Sequence, residues 1–596
     1  MVALPILRVI NRITRRPTRL QILVLTTVIW AGIYLPGLGS VELKHEEPRR
    51  ALPAVHMLAS GDWLVPRVGS VPFLRKPPML QWLIAWSFFA TGTRSEWAVR
   101  LPSALAVLAL ALAICRIGSY WLGPNGAFFA AILFLTNFAI LETGRLAELE
   151  AVYVASSGIG LLSWIVAWLR GARGWGLWLL PALFFAFAML TKGPTHLLFF
   201  YGVIIPTLFF AKDLRTLSHP AHWCGLGLII GLFAAWAVPC SLAVGESDPI
   251  GVWRFWVSQI ASRAGGSETG HFHLATWLLS FPNTLKNFLP WTPLLFFLWR
   301  DSRSARPAKF SDSAELPAAG DVASMRVTDP DRVPGVSEAR KEAWFRGARW
   351  GMVVMCVLMS LLPFGSPRYL YPLFVVPCLL LAQALIEPPE TRSRASVRND
   401  DRTLKFWTTA NLLLLLLAGA TVLATPFFTT MNFVAWVGLF TCGLLCLLGW
   451  IVSRGTTGDP NSPGKLLPPA IATAMVIMIT MLIYAIAIVP RVNSLSYGAR
   501  EVANAIRAKL PPDAILWIHE NQYRPFWYYL DPKARYFLRA EQIPPGARYV
   551  ILPKHLGSTF IQDPRWENGH FREFSQIVDS ERNVFVLLER QQENAK

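Results

Sequence analysis

Four groups of charged residues stand at the edges of apolar runs, and their types suit chemistry on an anionic substrate. In "VELKHEEPRRALPAVHMLASGDW", Val41 to Trp63, Glu46 and Glu47 precede Pro48, Arg49 and Arg50. Proline suits a first helical position, and Leu52, Val55 and Ala59 share one stripe while Arg49 and His56 share another. The stretch therefore predicts an amphipathic interfacial helix with carboxylates at its positive end, N-capping being the plain structural alternative. In the second group Arg75 and Lys76 precede two prolines and an apolar segment, 79–92, too short to span a bilayer. The diproline would aim Lys76, unless its ammonium simply snorkels to the interface. In "ETGRLAELEAVY" Arg145 lies three residues from both Glu142 and Glu148, so one ion pair leaves acids over, with Glu150 at the mouth of the next apolar run. The fourth group is Arg263, Glu268, His271 and His273 in the 244–283 loop, with Lys192 ending a nearby run. His271 and His273 on an extended strand could hold a divalent cation, although acids at a diagnostic spacing are missing. No other cofactor is implied. Basic groups of this kind hold a phosphate, and a carboxylate takes a proton from a nucleophile or steadies a developing sugar cation.

Such residues need a scaffold, and the composition says which. Of 596 residues 53% are hydrophobic, with 25 Trp and 36 Phe, too apolar and aromatic for a soluble enzyme of this length. About 20 apolar residues cross a bilayer, which places spans near 20–38, 101–119, 127–142, 152–169, 175–190, 195–211, 223–243, 284–300, 349–364, 369–387, 406–424, 431–452 and 466–489. The expected fold class is an all-α polytopic membrane protein of about thirteen transmembrane helices with a small carboxyl-terminal α/β extracytoplasmic domain. Arg8, Arg12, Arg15, Arg16 and Arg19 precede the first run without a following cleavage site, so it reads as a retained anchor with a cytoplasmic amino terminus. Arg116, Arg170, Arg173, Lys212, Arg215 and the later basic loops then fall on the same side, and all four charged groups fall on the other.

The net charge of +19 is explained by this topology, and nucleic-acid binding is not expected. Cys115, Cys224, Cys240, Cys356, Cys378, Cys442 and Cys446 all lie in apolar runs, which argues against disulfides and thiolate metal sites. Residues 1–489 form the expected membrane domain, within which 301–348, rich in Ser, Pro and charge, reads as a flexible cytoplasmic connector. Residues 490–596 form the expected periplasmic α/β domain, with a helix in "YGAREVANAIRAKL" and strands in "AILWIH", "RYVILP" and "VFVLLER". No GxxxxGK[ST] loop or inverted repeat is present, which argues against an ATP-driven pump. Chemistry outside the cytoplasm lacks a nucleotide supply, so an activated sugar would arrive on a lipid carrier.

At these residues the chain resembles a known group. "EEPRRALPAVHMLASGDWLVPRVGSVPFLRKPPMLQWL", "GRLAELEAVY", "AMLTKGP", "HFHLATWLLSFPNTLKNFLPWTPLL" and "SPRYLYPLFVVP" look like the successive motifs of bacterial GT-C glycosyltransferases. The 4-amino-4-deoxy-L-arabinose lipid A transferases are the nearest group, and protein O-mannosyltransferases are more distant. The similarity covers roughly residues 20–390, in order. It implies a GT-C fold, an undecaprenyl-phosphate sugar donor, inversion at the anomeric carbon, and a lipid A-like, glycan or protein acceptor at the periplasmic face of the inner membrane. Carried over, the family's acidic pair falls on Glu46 and Glu47, its following arginine on Arg49, the lysine of its EKPP motif on Lys76, and its arginine-leucine-alanine motif on Arg145 and Glu150. Glutamate replaces the usual aspartate at Glu46 and Glu150, Arg75 replaces a glutamate, and Gly365 replaces a lysine, leaving Arg368 as the nearby cation. The candidate set is thus Glu46, Glu47 and Glu150 for catalysis, and Arg49, Lys76, Arg145, Arg263, Arg75, Lys192 and Arg368 for donor and acceptor phosphates. The rival readings are a transporter or flippase of an anionic glycolipid, and a non-catalytic glycolipid-binding relative.

Overall fold

The computed structural model describes residues 17–44, 46–69, 71–244, 254, 257–258, 280–295, 298, 336–360, 367–386, 467–483, 498–519, 524–530, 534–537, 539–566, 570–579 and 582–591. The first expected span is helix α1, Arg19–Tyr34, started by a capping box in which the Gln21 amide donates to Thr18 Oγ1 at 3.2 Å and the Thr18 amide to Gln21 Oε1 at 2.9 Å. The interfacial helix follows as α2, Glu47–Ser60, ended by Gly61 in the left-handed conformation. A two-stranded hairpin, β1 (Arg67–Val68) and β2 (Val71–Pro72), leads into α3, Met79–Thr91, the short apolar segment.

The next two expected spans form one element, α4, Glu96–Thr136, which breaks at Gly123 with φ 66°. There the chain folds back, since a Cβ on Gly118 would lie 3.7 Å from Ala127. The short α5, Phe138–Thr143, is N-capped by Asn137, whose side chain accepts from the Ile140 amide at 3.1 Å. Then come α6 (Leu149–Leu169), α7 (Trp175–Lys192), α8 (Thr195–Phe210) and α9 (Pro220–Ala243). Among the described residues α4, α6, α7 and α9 are long and apolar enough to cross a membrane, and α1, α3 and α8 are shorter apolar helices. Their shared interior is aromatic: Trp164 stacks on Trp168 with centroids 5.8 Å apart, Trp178 is tilted against Trp164, and Phe200 packs edge-on against both Trp164 and Trp178.

The later spans differ from their expected bounds. Over 284–300 the described residues form α10, Ser280–Asn287, and a 3₁₀ turn at Thr292–Leu294, because Pro290 and Pro293 interrupt a continuous helix. The helix expected from 349 starts earlier, as α11, Glu338–Ser360, so the end of the supposed connector is helical. It packs closely on α8: a Cβ on Gly347 would come within 2.2 Å of Thr207 and one on Gly351 within 2.3 Å of the Gly202 carbonyl, a small-residue contact. A 3₁₀ stretch, Pro367–Leu373, precedes α12, Val375–Ile386, and α13, Leu467–Ile483, lies on α1. The expected spans 406–424 and 431–452, and residues 301–335 of the connector, lie outside the described residues.

The carboxyl-terminal region holds α14 (Ala499–Ala508), β3 (Leu516–His519), α15 (Trp527–Leu530), β4 (Ala534–Phe537), β5 (Tyr549–Pro553), α16 (Lys554–Ile561), β6 (Phe571–Val578) and β7 (Val584–Arg590). The sheet runs β4-β3-β5-β7-β6, with β3 parallel to both neighbours and β7 antiparallel to both of its own. The three strands legible in sequence, β3, β5 and β7, are the central ones; β4 and β6 are the edges, and β6 alternates too polarly to announce itself.

This sheet is joined to the α2 end of the helices. Val502, Ile506, Phe526 and Trp527 share an apolar cluster with Leu43, Leu52, Val55, Leu80 and Val99. Polar ties reinforce it: the Leu43 amide donates to Tyr529 Oη at 2.7 Å, the Arg500 amide to Glu42 Oε2 at 3.0 Å, and Tyr529 Oη to Glu96 Oε1 at 3.0 Å, while Arg500 pairs with Glu96.

Candidate functional site

Glu46 and Glu47, adjacent in sequence, face different surroundings because successive helical residues diverge by about 100°. Glu46 occupies the N-cap position of α2 with φ −86° and ψ −9°, and its side chain makes no capping bond. Its carboxylate lies 2.9 Å from Arg49 and 3.6 Å from Arg50, with 47% of the side chain exposed. Glu47 is 1% exposed. It accepts from Arg100 Nε and Nη2, each at 2.8 Å, from the Ala147 amide at 2.8 Å and from the Lys44 amide at 3.0 Å. Four bonds fill the acceptor sites of a carboxylate. The remaining donors of Arg100 go to the carbonyls of Leu38, Val41 and Glu42. Glu47, expected as a second catalytic acid, is instead a saturated structural anchor with no lone pair left to take a proton. Its partner Arg100 lies 53 positions away in the opening turns of an apolar run, so no local pattern marks it.

Arg145 also departs from its expected place. Its Nη1 donates to the carbonyls of Ile33 (2.6 Å) and Tyr34 (3.0 Å), and its Nη2 to that of Pro36 (2.5 Å). These are orphan carbonyls at the end of α1, which a cation favours. Those donors serve the chain, not a phosphate.

The acids flanking Arg145 meet other cations. Glu148, at the N-cap position of α6, lies 2.6 Å from Arg368, and Glu142 lies 4.0 Å from the same guanidinium. Glu150, in the first turn of α6, lies 2.9 Å from Lys192 Nζ, with both side chains nearly buried. Lys192 ends α7, where the helix dipole favours a cation, and sits 5.7 Å from the centroids of both Tyr153 and Tyr369. Burial, then the neighbouring Glu150 charge, push Glu148 up to about 7 against the pull of Arg368. Glu148 was not among the expected site residues; its signal was the third acid left over in "ETGRLAELE".

Arg50 links the α2 acids to the α6 acids. Burial lowers its pKa, while Glu46, Glu150 and Glu148 all lie near enough to oppose that shift. Its guanidinium lies 5.3 Å from the Phe73 ring, and its Nη1 is buried without a hydrogen-bond partner among the described residues. An unpaired buried donor of this kind calls for an oxygen ligand. Glu46, Arg49, Arg50, Glu142, Glu148, Glu150, Lys192 and Arg368 thus gather at one end of the helices. Lys76 is half-buried and Arg75 exposed in the turn between β2 and α3. Arg263, His271 and His273, with the proposed cation site, lie outside the described residues, and among those described no cluster of three metal-ligating side chains occurs.

Residues 75–238 match the dolichyl-phosphate-mannose-protein mannosyltransferase family. An undecaprenyl phosphate-α-4-amino-4-deoxy-L-arabinose arabinosyl transferase from Edwardsiella ictaluri is 27% identical over 48% of this chain and 50% of that protein. One of the same description from Pseudomonas savastanoi pv. phaseolicola is 25% identical over 57% of each. The chain thus spans about half the length of the curated relatives it matches. The crystal structure of ArnT from Cupriavidus metallidurans bound to undecaprenyl phosphate aligns over 95% of this chain and 97% of that one, with a TM-score of 0.64 and 16% identity. That likeness establishes a shared fold, and with the apolar helices it marks a multi-pass membrane protein.

Proposed function

We propose that the chain is a GT-C membrane glycosyltransferase, of the arabinosyl transferase and protein mannosyltransferase type, that takes a sugar from a polyprenyl phosphate, undecaprenyl phosphate in bacteria, and gives it to a lipid A-like acceptor. The observation that carries this reading is the buried, unpartnered Nη1 of Arg50 set among Arg49, Glu46, Glu148 and Glu150. It is a donor awaiting an oxygen, beside carboxylates of differing exposure. Arg49, Arg50, Lys192 and Arg368, with Lys76 from the turn before α3, are the proposed phosphate contacts. Arginine would grip such oxygens in bidentate fashion and lysine would act as a point charge.

In the proposed reaction an acceptor oxygen bonds to the anomeric carbon as the bond from that carbon to the phosphate oxygen breaks. The bonding electrons leave with polyprenyl phosphate, whose growing negative charge the cations stabilise. Where the acceptor is a hydroxyl, its proton passes to Glu46, the accessible carboxylate; where it is a phosphate, no base is needed. Glu150, held by Lys192, acts in this proposal by fixing the ammonium. In this reading the site lies on the periplasmic face, with the amino terminus cytoplasmic and residues 490–596 a periplasmic domain, which the side taken by the basic loops supports.

The test uses the purified chain in liposomes with undecaprenyl-phosphate-linked aminoarabinose and lipid A. Covalent transfer that Glu46→Gln abolishes while donor binding persists supports the proposal. Sugar crossing the bilayer without a covalent product would show a transporter, and donor binding without either outcome a non-catalytic relative.

A further inference from the structure

The opposite end of the helices carries a second cluster of cations, which the transfer reaction does not use. Arg19 opens α1, Arg116 lies near the end of the first arm of α4, and Arg170 follows the last residue of α6. Their guanidinium carbons stand 4.9, 5.5 and 5.0 Å from the centroid of one ring, that of Tyr120. Arg116 Nη1 also donates to Tyr120 Oη at 2.7 Å. The 21 residues of α6, at about 1.5 Å each, set Arg170 roughly 30 Å from Glu148, at the other membrane surface.

Three cations around one ring lie within about one Debye length of each other, so they repel, and the tyrosine face offsets that only in part. No carboxylate pairs with any of the three among the described residues. Acids described near this face already have partners: Asp213 accepts from Trp168 Nε1 at 3.2 Å and lies 3.9 Å from Arg340, Glu338 pairs with Lys341, and Glu342 with Arg346. Placement of positive charge on one side explains why arginines occur here, but not why three helix ends deliver them to a single phenol. Directly along α1 from Arg19, Leu20, Val24 and Val28 are 70%, 53% and 54% exposed, one aliphatic stripe at helical spacing.

We propose that Arg19, Arg116, Arg170 and Tyr120 form a binding site for the phosphate of an anionic phospholipid of the leaflet opposite the transfer site, with its acyl chains along Leu20, Val24 and Val28. Cations converging at headgroup depth between span ends suit such a lipid. The Tyr120 hydroxyl, which accepts from Arg116, keeps its own proton for a phosphate oxygen. The occupant neutralises the mutual repulsion of the arginines and ties the ends of α1, α4 and α6 together.

The full chain in zwitterionic detergent is titrated with phosphatidylglycerol or phosphatidylcholine and read by native mass spectrometry and thermal unfolding. Phosphatidylglycerol should be retained and raise the unfolding temperature, and phosphatidylcholine should do neither. Arg116→Gln or Arg170→Gln should each weaken phosphatidylglycerol retention about fivefold, and the triple variant with Arg19→Gln by about a hundredfold. Arg215→Gln, on the same face outside the cluster, should change neither readout. Equal weakening by Arg215→Gln would mean diffuse charge and overturn the site, as would undiminished retention in Arg170→Gln. If inorganic phosphate alone raises the unfolding temperature as much, the lipid assignment falls. Should the triple variant not fold, the two single variants decide the matter.

Discussion

The two adjacent glutamates should fail in opposite ways. Glu47→Gln replaces one carboxylate oxygen by an amide nitrogen inside a saturated ring of donors: Arg100 Nε and Nη2 and the amides of Lys44 and Ala147. The Arg100 charge is then left without its counterion at a site where it is 3% exposed. Removing one partner of a buried pair costs about 3–5 kcal/mol, a large share of a typical net stability of about 5–15 kcal/mol. Glu46→Gln removes a half-exposed pair worth about 0–1 kcal/mol, so the protein should fold normally and lose transfer. Replacing both buried partners, in Glu47→Leu with Arg100→Met, should recover only part of the loss, because the carbonyls of Leu38, Val41 and Glu42 and the amides of Lys44 and Ala147 stay unpaired. The assay is the yield and thermal unfolding of detergent-purified variants beside the transfer assay. The reasoning is refuted if Glu47→Gln unfolds at the unsubstituted temperature and loses only transfer.

Between its ordinary 4.5 and about 7, Glu148 holds a proton in the folded state that the unfolded chain gives up, so stability should fall as pH rises through that window and level off above it. Glu148→Gln should flatten that slope in unfolding curves taken across the window. Arg368→Gln removes the charge that holds Glu148 down and should move any pH dependence belonging to Glu148 to higher pH, measured by transfer or unfolding profiles. Lys192→Met leaves Glu150 unpaired and should cost about 3 kcal/mol together with transfer, whereas Lys192→Arg should retain folding in the same melting assay. Tyr529→Phe removes the hydroxyl shared by Leu43 and Glu96 and should lower the unfolding temperature in the same melting assay, by a loss of about 1–3 kcal/mol.

What could be read from the sequence was what depends on near neighbours. Pro48 marked the start of α2, the apolar runs marked α1, α6, α7, α8 and α9, and the polar break at Gly123 separated the arms of α4. Lys192 and Glu150 were both singled out, but their contact spans 42 positions and only the packing of α6 on α7 makes it. Arg145 misled because two glutamates at helical spacing suggested an ion pair, whereas the chain there is a turn whose arginine reaches back to α1. Arg100 was hidden for the converse reason, a single cation in an apolar run looking like a span boundary. Arg50 was overshadowed by Arg49, since nothing in sequence tells which of two adjacent arginines turns inward.

The terminal sheet and the membrane helices hold the acid-bearing segment between them. The segment from Leu38 to Leu43, shortly before Glu46, is gripped from within by Arg100, through the Leu38, Val41 and Glu42 carbonyls, and from without by Arg500 and Tyr529, through the Glu42 carboxylate and Leu43 amide. A cavity of about 320 Å³ lies at that seam, lined in part by Arg94, Glu96, Arg500, Asn504 and Tyr529. The residues that line it include Arg500 and Tyr529, which hold Glu42 and Leu43, so the reach of Glu46 is tied to how the terminal sheet seats on the helices.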